Sequence, residues 1–277
     1  MKLGIVADEI SRDFREAVRV GKSLGLERYE IRFLESGRAP MCDESELREV
    51  EAIANGENVE ITALSPGLFK WTETTADFKR EMSEVFPRAV ELAKRWNLSN
   101  LITFGFRKPG ATEEQFFVSE ETPEQVFDWF AAASEKAEEH GLRLLVEPEP
   151  ICWMDTATRV VETIEKLDTT AIGINYDPGN VAWLTGSDPF GEFERVARYI
   201  GNVHVKDLRG IQDGKAIWAI PGEGVIDFQK HFDALRNLDY NGVVSLEPHI
   251  DGTAETTLRC KQAVERLWTN ARQIAAA

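Results

Sequence analysis

Residues 143–149 read Arg143-Leu144-Leu145-Val146-Glu147-Pro148-Glu149, and residues 171–180 read Ala171-Ile172-Gly173-Ile174-Asn175-Tyr176-Asp177-Pro178-Gly179-Asn180. Each is a short apolar run that ends on an acid followed by proline. The apolar residues stand at consecutive positions rather than alternating, which suits a parallel strand buried on both faces. Between the two runs, 156–167 carries apolar residues at helical spacing. Strand, amphipathic helix and strand make one βα unit. Working outward, the unit repeats along the chain. Short apolar runs lie at 3–7, 28–34, 59–64, 101–106, 143–146, 171–176, 202–205 and 242–246. Helical runs lie at 13–24, 44–54, 76–96, 126–139, 156–167, 190–200, 228–238 and 254–274. Thr122-Pro123 reads as a capped start to the fourth helix, with proline at the first helical position. Pro87 reads as a kink in the third. Repeating strand–helix units without a Pro/Gly/Ser-rich linker predict a single α/β domain over residues 1–277, a (β/α)8 TIM barrel. A doubly wound open sheet would show a glycine-rich phosphate turn after its first strand. Here that turn reads Asp8-Glu9-Ile10-Ser11.

The 277 residues hold 32 Lys+Arg against 48 Asp+Glu, a formal net charge of −16. Duplex binding places many basic side chains against phosphates, so nucleic acid is a disfavoured partner, and anionic membrane surfaces are disfavoured likewise. Cys42, Cys152 and Cys260 are far apart and form neither a metal-type pair nor a disulfide framework, which fits a reducing compartment. The first residues hold too short an apolar run for a signal peptide, and no stretch approaches the roughly 20 apolar residues of a spanning helix. A soluble cytoplasmic protein with a small-molecule partner is expected. Its apolar and aromatic helices could support a homo-oligomer.

In barrels of this kind, chemistry gathers where strands end. Strand five delivers Glu147, strand six Asp177, strand seven His204 within Val203-His204-Val205-Lys206-Asp207, and strand eight Glu247 within Leu246-Glu247-Pro248-His249. Three carboxylates at one height repel one another and need protonation, Lys/Arg pairing or a cation. Three carboxylates and an imidazole make a divalent-cation site. The oxygens favour Mn²⁺ or Mg²⁺, and the imidazole admits Co²⁺, Fe²⁺ or Zn²⁺.

The segments Val146-Glu147-Pro148, Tyr176-Asp177-Pro178-Gly179-Asn180, His204-Val205-Lys206-Asp207, Pro221-Gly222-Glu223-Gly224-Val225-Ile226-Asp227 and Leu246-Glu247-Pro248 together resemble the xylose isomerase-like superfamily of sugar isomerases, ketose epimerases and related lyases. The resemblance covers essentially the whole chain and is poor at naming a substrate. It implies one divalent metal, manganese first, held by Glu147, Asp177, His204 and Glu247. It also implies that Glu147 and Glu247 transfer protons. The chemistry is consistent with that: a cation acidifies the C–H beside a keto-sugar carbonyl, one glutamate removes the proton, and the other returns one through an enediolate. The expected activity is a sugar or polyol isomerase or epimerase of carbohydrate metabolism. If a β-leaving group is expelled instead, the same site is a lyase or dehydratase on a keto-sugar, inosose or oxidised glycoside. A non-catalytic sugar- or partner-binding barrel is the alternative of another class.

The sequence departs from the family where a histidine often follows the strand-six acid: Asn180 stands there and can only hydrogen-bond. The chain has only four histidines, which argues against the nuclease branch of the superfamily. His140 and His231 read as surface residues. Lys206, Glu149, Asn180, Arg209 and His249 are candidate substrate contacts near the strand ends. Trp153 and Phe69, with Trp71 and Trp183, are aromatics that could pack a sugar face. Lys206 has an alternative role in a salt bridge with Glu149 or Asp207. Glu30 and Arg32 alternate with apolar neighbours and could form a buried ion-pair network. No phosphate cradle is evident, which favours a free sugar.

Overall fold

The computed structural model describes residues 1–118 and 121–270. Strands run at β1 (Lys2–Val6), β2 (Arg28–Ile31), β3 (Phe33–Leu34), β4 (Gly37–Arg38), β5 (Glu60–Leu64), β6 (Asn100–Phe104), β7 (Arg143–Glu147), β8 (Ile172–Tyr176), β9 (Ile200–Val205), β10 (Asp207–Gln212), β11 (Lys215–Ala219) and β12 (Val243–Leu246). Helices run at α1 (Phe14–Ser23), α2 (Glu44–Glu57), α3 (Thr75–Arg95), α4 (Glu124–Glu139), α5 (Ala157–Leu167), α6 (Pro178–Thr185), α7 (Phe193–Val196), α8 (Phe228–Asn237) and α9 (Ala254–Thr269). Strands β1, β2, β5, β6, β7, β8, β9 and β12 close in that order into a parallel barrel, the predicted architecture.

Apolar strand faces explain the closure. Leu144, Val146, Ile174 and Val205 are at or near zero exposure, and each such side chain contributes about 1.5–3 kcal/mol when buried. Pairing is uneven around the ring. β6 and β7 are in register over Asn100–Arg143 through Phe104–Glu147, whereas β5 and β6 share the single register pair Leu64–Leu101.

Local chemistry sets the helix ends. Asp13 caps α1 by accepting from the Arg15 and Glu16 amides. Thr74 and Asp77 form a capping box on α3, which continues past Pro87 to Arg95. Pro123 takes the N-cap position of α4 with no side-chain cap, so the predicted Thr122 cap is not formed. The predicted helix over 190–200 is instead a 3-10 turn at Pro189–Glu192, the four-residue α7 and a second 3-10 turn at Ala197–Tyr199. Phe190, Phe193 and Val196 recur every three residues, a period that suits 3-10 turns as well as an α-helix. The part of the predicted last helix over 271–274 lies outside the described residues. Among the described residues, no helix is long and apolar enough to cross a membrane. The three cysteines are buried and free.

Two hairpins rise from the carboxyl-end rim: β3–β4, and β10–β11 turning at Asp213-Gly214. Both turn residues of the second have positive φ, as its tight turn requires.

Candidate active site

The four strand-end residues converge. Glu147 ends β7, Asp177 follows β8, His204 lies in β9 and Glu247 follows β12. One ligand atom from each lies within 4.8 Å of every other, and all four residues are buried. Donors on opposite sides of a cation with bonds near 2.1 Å are about 4.2 Å apart, so the cluster fits one divalent ion after a slight contraction. Three carboxylate oxygens and an imidazole nitrogen are also the donor types such an ion takes.

Each donor is oriented from behind. The His204 Nε2 lies 2.8 Å from Glu30 Oε2 on β2, across the barrel, which leaves Nδ1 toward the centre. Nδ1 is 3.1 Å from Glu247 Oε2 and 3.5 Å from Glu147 Oε2. A carboxylate behind an imidazole fixes ring orientation and raises basicity. One oxygen of Asp177 caps α6 by accepting from the Asn180 amide at 3.1 Å, and Pro178 occupies the first helical position. Asn180 Nδ2 donates to Glu147 Oε1 and to the Pro148 carbonyl, both at 2.9 Å. Asn175 Nδ2 donates to Glu147 Oε2 at 2.9 Å, and Asn202 supports Asn175 at 2.8 Å. Arg32 grips Glu247 Oε1 and pairs with Asp8 and Glu9 at 2.9 Å each.

Lys206 sits among the acids. Its ammonium is 2.7 Å from Asp177 Oδ2 and 2.8 Å from Glu247 Oε2. It therefore pairs with neither Glu149 nor Asp207, the partners weighed from sequence. Gly179 makes room for it, because a Cβ there would lie 2.4 Å from Lys206 Cγ. Asp207 turns away and accepts the Gly222, Gly224 and Ile226 amides at 2.8, 2.9 and 3.2 Å. A Cβ on Gly224 would lie 2.3 Å from Asp207 Oδ1. This explains why Lys206-Asp207 and the Gly222-Glu223-Gly224 loop belong to one motif: the acid shapes the loop.

The electrostatics separate the acids. Burial, then the Glu247 charge, pushes Glu147 up to about 7. Burial works against the Glu247 carboxylate, but Lys206 and His204 outweigh it and hold the group well below the usual range. Burial raises Asp177, with Lys206 opposing. Burial disfavours a charged His204, but Glu30, Glu247 and Glu147 more than compensate and raise it.

Glu147, His204 and Glu247 line a cavity of about 580 Å³, with Asp177 buried behind them. Lys206, Glu149, Asn180 and His249 line it, as do Trp71 and Trp183. Glu149 pairs with Lys70 at 3.1 Å. His249 Nδ1 is 2.7 Å from Glu9, and burial opposes its charge less than Glu247 and Glu9 favour it, so it rises to about 9. Three predicted contacts are elsewhere. Phe69 is fully buried and stacks on Phe106 at 4.5 Å, because its backbone turns it into the core at φ 72°. Trp153 packs against the core cluster. Arg209 points outward and pairs with Glu223 at 3.3 Å. His231 is also misplaced by the sequence reading. It is 1% exposed and lies between Tyr176 at 3.0 Å and Asp188 at 2.7 Å.

Asn175, Arg38, Phe33 and Trp218 are site residues that sequence reasoning missed. A lone asparagine inside an apolar strand is a signal, since a buried amide needs partners. Asp213-Gly214 is a hairpin signal that would have placed Trp218 on β11. Phe33 lies in the run read over 28–34, where only Glu30 and Arg32 were singled out, and Arg38 lies beyond it in a short segment with no periodicity to read.

A closed parallel barrel with convergent acids and an imidazole at its carboxyl-end rim defines the class of protein. Residues 18–269 match the xylose isomerase-like TIM barrel family, and the chain belongs to it. An inosose dehydratase of Geobacillus thermodenitrificans is 26% identical over 176 residues, 57% of this chain and 56% of that protein. The chain spans about half the length of the curated relatives it matches. The IolI protein with a bound zinc atom superposes with a TM-score of 0.78 at 18% identity, covering 99% of this chain and 100% of that one. The D-psicose 3-epimerase of Clostridium cellulolyticum H10, solved with D-tagatose, superposes with a TM-score of 0.68 at 16% identity, covering 96% and 97%. The relatives thus include sugar epimerases and dehydratases.

Proposed function

We propose that this chain is a metal-dependent dehydratase of a polyhydroxy ketone. Glu147 takes the proton from the carbon beside the carbonyl, and a hydroxyl on the next carbon leaves as water. The inequality of the two glutamates carries this reading. Glu247 has one oxygen gripped by Arg32 and the other by Lys206 and His204, which keeps it an anion. Glu147 accepts from two amide side chains and lies 3.5 Å from His204 Nδ1, and before a cation binds burial pushes it up to about 7, near the range where general acid–base catalysis is most effective. Epimerisation needs two proton carriers, one on each face of the carbon. Elimination needs one base and a proton for the departing hydroxyl, which His249 or Lys206 supplies from the cavity wall.

Glu147, Asp177, His204 and Glu247 would hold the cation, with Mn²⁺ the first choice. When bound, it polarises the carbonyl and acidifies the C–H beside it. Asn175 and Asn180 aim Glu147, and Trp183 and Trp218 wall off water. The second reading is the isomerase or epimerase expected from sequence. It is favoured by Glu147 and Glu247 lining one cavity.

Incubation with Mn²⁺ and a panel of inososes and ketoses in D₂O tests both. Loss of one water from the substrate mass is expected. Deuterium on carbon without water loss would replace the dehydratase with the epimerase. No change in any substrate would leave the non-catalytic barrel. Glu147→Gln should lower turnover by about 10²–10⁴-fold.

A further inference from the structure

Two arginines on neighbouring segments line the same cavity in opposite situations. Arg32 is surrounded by Asp8, Glu9 and Glu247. Among the described residues Arg38 forms no ion pair; its contacts are to Ser65, through Nε to the carbonyl at 3.0 Å and Nη2 to the hydroxyl at 2.9 Å. A guanidinium carries five N–H donors, so most of this fork is unused.

The position is nonetheless built. The Arg38 guanidinium carbon lies 4.9 Å from the Phe33 ring centre and 5.7 Å from that of Phe104. Gly67 has φ +77°, and a Cβ there would lie 2.7 Å from Arg38 Nε. Two rings, a buried serine and a glycine hold one planar cation at the cavity wall. Burial, with Arg32 adding to it, lowers Arg38 to about 10, so the group stays charged at neutral pH. The charges of Glu147, Asp8 and Glu247 favour it only from a distance, and no carboxylate pairs with it among the described residues. Arg12, exposed at the cavity mouth, also lies 4.9 Å from the Phe33 ring and has no ion pair among the described residues.

We propose that Arg38 is a carboxylate seat and that the substrate is a polyhydroxy keto acid rather than a neutral ketose. The planar fork matches a carboxylate with two parallel hydrogen bonds. Arg12, Lys70 and Lys215 line the same cavity beside Glu147, Glu149 and Glu247, so a phosphate is the competing anion and the fructose 6-phosphate arm of the test decides between the two. The inference rests on the reading of the cavity as the site of a metal-dependent reaction on a polyhydroxy ketone, and it names the class of that ketone.

Calorimetric titration of the Mn²⁺-loaded protein with D-fructuronate, D-fructose and D-fructose 6-phosphate tests it. The first two differ only in a terminal carboxylate in place of a hydroxymethyl group. The wild type should bind fructuronate at least about 10-fold more tightly than fructose. Arg38→Gln should weaken fructuronate by about 10- to 100-fold, the range of a charge-assisted pair, and leave fructose within about twofold. Arg38→Lys keeps the charge but loses the fork, so it should show an intermediate loss; it also serves if the glutamine variant does not fold. Equal binding of acid and ketose, binding of neither, tighter binding of the phosphate, or an unchanged preference in both variants overturns the proposal. Turnover on the same samples separates the two ideas. Glu147-dependent deuterium uptake or water loss without an Arg38-dependent preference sinks the carboxylate seat alone. An Arg38-dependent preference without turnover sinks the proposed reaction alone.

Discussion

Lys206 is where the acid cluster is balanced. Its ammonium contacts two carboxylates proposed as metal ligands, and its side chain is 3% exposed. Removing one partner from a buried ion pair typically costs about 3–5 kcal/mol, because the other charge is left uncompensated. Lys206→Met should therefore destabilise the EDTA-treated protein by about that amount in urea melts. The loss should shrink when Mn²⁺ saturates the quartet, since the cation replaces the missing charge. An equal loss with and without Mn²⁺ would show that Lys206 and the cation do not share the carboxylates. At this scale the sequence was most legible for the quartet itself. Strand ends place Glu147, Asp177, His204 and Glu247 by topology alone. The partner of Lys206 was not legible, because it depends on Gly179 leaving a path between two strands.

The segments that differ most from sequence expectation meet at Asp188. Its Oδ1 accepts from the Phe190 amide at 3.0 Å and contacts His231 Nε2 at 2.7 Å, and its Oδ2 accepts from the Asp227 amide at 3.0 Å. His231 in turn reaches Tyr176 on β8. One carboxylate thus ties a 3-10 turn, the start of α8 and a barrel strand together, so the run over 190–200 need not complete a long helix. Asp188→Ala should cost about 2–3 kcal/mol by thermal or urea unfolding at neutral pH. Burial opposes the Asp188 charge, but the His231 hydrogen bond and charge outweigh it and lower the pKa. A lowered carboxyl contributes stability above its unfolded value and loses it as pH falls through the folded one. The gap between wild type and variant should therefore narrow below about pH 4. A gap that widens in acid would contradict the assignment. Strands and long helices were readable because burial imposes a period on them. Short rim helices such as α6, and the two hairpins, were not read because they fall outside the repeating strand–helix rhythm. The Asp177-Pro178 and Asp213-Gly214 pairs were the available signals.

The whole molecule carries a net charge of −16, yet its most consequential acids are buried at one end of the barrel. A cation bound only by the folded state stabilises it by about 2.7 kcal/mol at one hundred times its Kd. For a chain of this size that corresponds to a rise in Tm of about 5 °C. Calorimetry with Mn²⁺ should show such a rise, and EDTA should reverse it. A Tm independent of Mn²⁺ would remove the cation from the quartet.

The single register pair between β5 and β6 has a mechanical consequence. A cask with one thin stave joint opens there first. Above this joint, the loop after β5 reaches over β6: Leu68 accepts the Phe104 amide and Thr72 the Arg107 amide, each at 3.0 Å. Lys70, from the same loop, clasps Glu149 beyond β6 at 3.1 Å. The hoop that keeps the cask closed at its weakest joint is therefore also a wall of the cavity above the acid cluster.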